Sequence, residues 1–215
     1  MPLASPTFPF CVARPWLTPT LAVRMTPEPI LREAGAIATA LANPLLQTIV
    51  AFSRSIAVLD RDPEQAVDLA EYSLRLAASI RATWFETAST NYLTAALARV
   101  GDVEEAVRRT GETLDRLLHG ATPQSAANTL RNTIVVLDRL GVPDRAAPVV
   151  GWLEQNRPAI PATPGMRNHP SIVADRLRCD LGLGRANELI ESGSLLSLQQ
   201  IAAIARREVA SAASS

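Results

Sequence analysis

From Pro29 onward, apolar and small residues recur at helical spacing, and the same stripe returns about every forty residues. Ala66, Ala106 and Ala146 align at that offset. Around them the sets 66/69/70/73, 106/110/113/114 and 146/149/150/153 each follow the i, i+3, i+4, i+7 pattern of a helix with one buried face. No stretch shows the two-residue alternation of a strand, so the pattern predicts an all-α chain.

Capping chemistry sets the boundaries. Asp62 and Asp102 stand where N-caps are needed, with Gln65 and Glu105 three residues on, the spacing of a capping box. Val142 is a poor cap in the third copy, but Pro143, like Pro63, suits a first helical position. Three preceding helices are predicted to start at Asn43-Pro44, near Thr83-Trp84 and at Thr122-Pro123, and to run to about residues 60, 99 and 140. Gly101 and Gly141 supply the left-handed turn after two of them. Each unit is thus a helical hairpin of about 40 residues. The segment 29–41 reads as the second helix of a hairpin whose first helix is missing. A unit of this kind cannot bury its apolar face alone, so a stack is expected, with the alanines at its points of closest approach.

The flanks differ. Residues 1–28 form a Pro-rich stretch expected to be a disordered leader, and Met25 is an alternative start; seven of the sixteen prolines fall within residues 1–29. The hairpins occupy 29–156, a Pro-rich loop is expected over 157–170, and 171–215 carries three shorter helical segments, about 171–181, 185–191 and 197–211, expected to cap the stack.

Composition removes several function classes. The chain has 215 residues and balanced charge, so no overall field draws it to nucleic acid or an anionic membrane. It contains no lysine, which excludes a Walker A loop, a Schiff base and a lysine general base within it. Cys11 and Cys179 are too few for a disulfide scaffold, and a reduced, cytoplasmic setting is expected. The uncharged run 34–53 is interrupted by Asn43-Pro44, so it is not expected to span a membrane. His119 and His169 lie in no metal-ligand spacing, and Gly182-x-Gly184 lacks the strand and third glycine of a dinucleotide loop. No cofactor, metal or catalytic set is expected. Glu104, Glu105 and Glu112 fit helix starts and exposed faces.

The "GD-x-E-x-A" turn at Gly101–Ala106, the "DP-E-x-A" turn at Asp62–Ala66 and the long alanine-rich helices resemble tetratricopeptide-type repeats of the longer kind. Such repeats occur in large actinobacterial regulators that join a STAND-class ATPase to a repeat region, some adding a cyclase domain or a LuxR-type helix-turn-helix. The tail from Ala174 to Arg206, with Gly193, Leu196, Ser197 and the run Leu198 to Ala205, is similar to the end of those regulators. The resemblance covers about residues 29–211, without the ATPase, cyclase or DNA-binding modules.

It implies a TPR-like α-α superhelix whose first helices line a concave groove for a protein or peptide partner, or for an upstream ATPase or cyclase module. Trp84, Asn91, Arg99, Asn128, Arg131 and Arg139 are then the candidate groove residues, with Asn91 and Arg131 equivalent at the offset of forty. Arginine and asparagine there suit the carboxylate or backbone of an extended peptide. The alternative is a DNA-binding regulator using the C-terminal helices, since "LSLQQIAAIARREV" has the opening of a helix-turn-helix; no recognition helix follows. Self-association through the open N-terminal end of the array is expected as well.

Overall fold

A computed structural model describes residues 28–118, 123–156 and 170–213. The proline-rich leader, the loop after residue 156, and both histidines lie outside the described residues. Among those described, the chain is all-helical, with ten α-helices and no strand. They are α1 (Glu28–Ala40), α2 (Pro44–Val58), α3 (Pro63–Ser79), α4 (Thr83–Val100), α5 (Val103–Leu118), α6 (Pro123–Arg139), α7 (Ala147–Gln155), α8 (Pro170–Leu181), α9 (Leu183–Ser194) and α10 (Leu198–Ala213). A 3-10 turn, Pro143–Ala146, leads into α7.

The helix starts follow from local chemistry. Asn43 Oδ1 accepts from the backbone N–H groups of Leu45 and Leu46 at 3.0 and 3.1 Å, with Pro44 in the first helical position. Asp62 caps α3 through Gln65 N–H at 3.0 Å, and Asp102 caps α5 through Glu105 N–H at 3.3 Å. The reciprocal half of the expected capping box does not form. The N–H groups of Asp62 and Asp102 bond instead to the carbonyls of Val58 and Leu97, which frees the Glu105 side chain for Arg108 and Arg109. A complete capping box stands at α10, where Ser197 N–H donates to Gln200 Oε1 and Gln200 N–H to Ser197 Oγ. At Val142 there is no side-chain cap, and the backbone opens with the 3-10 turn. Gly101 and Gly141 take φ of 96° and 76°, as a left-handed helix end requires.

The expected stripes are buried. Ala66, Ala106 and Ala146 are all at most 1 % exposed, and the larger Leu114, Val149 and Val150 fill the core around the last two. Each such side chain contributes about 2–3 kcal/mol by leaving water. A second, smaller cluster joins Val58, Ala66, Tyr92, Ala95 and Ala96 near the N-terminal end. Ser73 ties three helices together: its Oγ donates to the Thr48 carbonyl on α2 at 3.2 Å and lies 2.8 Å from Ser89 Oγ on α4.

The C-terminal helices divide between two neighbourhoods. α9 packs on α7 and α8, whereas α10 turns back to lie on α5, α6 and α7. Two glycines explain the first contact. A Cβ on Gly151 would meet the Ile190 carbonyl oxygen at 1.8 Å, and one on Gly193 would meet that of Pro148 at 1.8 Å, so α7 and α9 cross backbone to backbone. Gly193 therefore works inside α9 and not as a break after it. The contact at Gly111 is looser and made by a side chain: the Arg206 guanidinium of α10 lies across it, with Cζ 3.3 Å from where a Cβ would be, and reaches Asp115 at 3.1 Å.

Candidate functional site

The six residues expected in a groove divide into two groups. Trp84 is 57 % exposed at the start of α4, set edge-on to Phe85 at 4.7 Å and to Phe52 at 5.9 Å between ring centroids. Arg139 is exposed at the end of α6. These two are reachable from solvent. Arg99 is drawn inward, donating to the Asp60 carboxylate at 3.2 Å and to the Ala95 carbonyl at 2.9 Å.

Asn91 and Arg131 are 2 % and 7 % exposed, which corrects their expected place on an open face. Asn91 Oδ1 accepts from Thr129 Oγ1 at 3.0 Å, and its backbone carbonyl accepts from Asn132 Nδ2 at 2.6 Å. Arg131 Nη1 donates to Asn128 Oδ1 at 3.1 Å. Burial lowers the Arg131 pKa, partly countered by the Tyr92 phenol, while burial raises that of Tyr92 against the pull of Arg131. At neutral pH the pair remains a guanidinium beside a neutral phenol.

The physical reason is the enclosure of the first helices. Every residue from Ser89 to Ala98 of α4 is buried, because α2, α3, α5 and α6 surround it. Short polar side chains make this burial tolerable by bonding to the preceding turn of their own helix. Thr90, Thr94 and Thr133 donate to the carbonyls of Glu86, Thr90 and Thr129 at 2.8 to 3.0 Å. The Asn91, Thr129 and Asn132 bonds then join α4 to α6 as a polar seam.

The accessible apolar surface lies elsewhere. Ile30 and Ile37 are 59 and 52 % exposed on one stripe of α1, Leu41 at 63 % follows it in the tight turn at residues 41–43, and Leu45 and Ile49 continue it on α2. α1 packs on α2, with Ala38 as its one buried residue. On another face of the same hairpin a groove of about 680 Å³ runs between α1 and α3 with α2 as its floor. Gly35, Ala36 and Ala40 form its α1 wall, and Arg32 and Arg54 supply its charge. A second groove, of about 500 Å³, lies among α7, α9 and α10, where Arg145 and Arg207 both face Glu208 at 3.9 and 2.9 Å. Arg185, also on its lining, pairs with Glu188 at 2.9 Å.

Sequence reasoning foresaw an exposed apolar end over residues 29–60 but not the groove behind it. The available signal was the run of small residues in "REAGAIATA" on the face opposite Ile30 and Ile37. Among the described residues, no group of three or more His, Cys, Asp or Glu is placed to hold a metal ion. No described helix is long and apolar enough to cross a membrane. No family model matches the chain, nor does any curated protein or solved structure.

Proposed function

We propose that this chain is a non-enzymatic, cytoplasmic protein-interaction module, a TPR-like array of helical hairpins that serves as the C-terminal repeat part of a signalling or transcriptional regulator. The observation that carries the reading is the apolar stripe Ile30, Ile37, Leu41, Leu45 and Ile49, exposed at the N-terminal end of the helical stack. Contiguous apolar surface of this kind marks an interface. The stacking logic supports the same surface. α3 packs between α2 and α4, whereas α1 packs on α2 with no helix beyond it among the described residues. A second copy of the chain, or the regulator's own ATPase or cyclase module, fits there. Trp84, beside the same hairpin through Phe52, extends this surface as an aromatic anchor.

DNA contact through the C-terminal helices has weaker support. α10 buries Ile201, Ala202, Ala205 and Val209, and Arg206 is engaged with Asp115, so nucleic acid would have to use what remains of that helix.

Sedimentation velocity over a concentration series tests the reading. The native chain is expected to self-associate, and Ile37→Glu with Leu41→Glu to leave a monomer of unchanged helical content. A chain that stays monomeric at every concentration would remove this support.

A further inference from the structure

The chain fills one of its own inter-helix grooves with a helix. α10 lies on α5, α6 and α7, with Ile201, Ala202, Ala205 and Val209 turned into the protein. Small residues and one charge match line the contact: the Arg206 guanidinium lies over Gly111, and Asp115 receives it at 3.1 Å.

The groove between α1 and α3 is built alike at the other end of the chain. α1 and α3 both pack on α2 or line the groove above it, as walls with α2 as their floor. The floor includes Val50 and Ala51, and the α1 wall is Gly35, Ala36 and Ala40, small enough for a helix backbone to come close. The charge is reversed. Where α5 offers Asp115 to a basic helix, this groove offers Arg32 and Arg54. Arg32 has no ion pair among the described residues, and Arg54, although paired with Glu28 at 3.2 Å, keeps a buried Nε without a hydrogen-bond acceptor.

From this the geometry points to the α1–α3 groove as a docking site for an acidic amphipathic helix of a partner protein, with alanine or similar small residues on its contact face. Carboxylates of that helix would pair with Arg32 and Arg54, and its small face would lie on α2. The inference rests on the reading of the chain as an interaction module but not on the apolar stripe, which occupies another face of α1.

The probe is a fluorescent synthetic peptide of the Leu198–Ala213 sequence carrying Arg206→Glu and Arg207→Glu, compared with the unmodified peptide. Anisotropy titration against the full chain is expected to show binding of the acidic peptide, about tenfold tighter than the unmodified one, the scale of a lost charge-assisted hydrogen bond. Arg32→Glu and Ala36→Trp in the protein, both at exposed positions, should each weaken the acidic peptide by at least about tenfold with unchanged circular dichroism. Ile37→Glu with Leu41→Glu should leave peptide binding intact, which separates the groove from self-association. No binding of the acidic peptide, equal binding of the two peptides, or full binding to the Ala36→Trp chain would overturn the proposal.

Discussion

The Asn132 side-chain amide on α6 donates to the backbone carbonyl of Asn91 on α4 at 2.6 Å. Both residues are buried, and Thr129 closes the seam by donating to Asn91 Oδ1. These side chains hold helix to helix, so their loss costs stability. Asn132→Ala should lower unfolding free energy by about 2 kcal/mol, from the lost bond and the space left behind. Denaturant titration measures it. Asn91→Ala should behave alike, and a variant of native stability would return Asn91 to a solvent-facing role.

Gly151 and Gly193 set the closest approach of α7 and α9. A methyl group at either would overlap a carbonyl oxygen of the facing helix, so Gly151→Ala and Gly193→Ala should each cost about 3 kcal/mol or more. Gly184→Ala serves as control because open space surrounds that position in the same helix, and it should be neutral or stabilising. Thermal melts of the three variants give the comparison.

Among the described residues, two non-glycine residues sit in the left-handed region, Ala42 at φ 46° and Arg81 at φ 55°, each just after a helix. Glycine removes the Cβ clash at such a position. Arg81→Gly should therefore stabilise the chain by about 1 kcal/mol despite adding freedom to the unfolded state. A lower melting temperature would show that Arg81 makes a contribution beyond its backbone.

Hydrogen bonds from Arg108, then Arg109, hold the Glu105 carboxyl well below its ordinary value of 4.5, at about 2. A depressed carboxylate stabilises the fold above the unfolded value and loses that contribution as pH falls toward the folded one. The native melting temperature should thus fall more steeply than that of Glu105→Gln between pH 4.5 and 2, and the two should converge at the acid end. Because the cluster is on the surface, high salt should shrink the difference. Parallel pH curves would contradict the assignment.

Helix positions were legible because cap and stripe are local. Asn43, Asp62 and Asp102 announce their helices within three residues, and Ala66, Ala106 and Ala146 mark the buried faces through spacing alone. The candidate groove was misread because polarity stood in for exposure. Asn91 and Arg131 lie in helices surrounded on all sides, where threonines satisfy themselves against their own backbone and asparagines against the neighbouring helix. The return of α10 to α5 was hidden for another reason. It brings Gly111 beside Arg206, 95 positions apart, and no local period records such a meeting. Ile37 and Leu41 were legible as apolar positions of the 29–41 segment, and the packing of α1 on α2 leaves their side uncovered.

Hydrogen exchange read by mass spectrometry, at low and high protein concentration, tests most directly whether that uncovered side is the interface. Amides of residues 28–58 should gain protection as the chain associates, since α1 packs mainly on α2 and buries only Ala38, while α7 and α9 should not change. Association with unchanged exchange in α1 and α2, or with new protection confined to the C-terminal helices, would contradict the account.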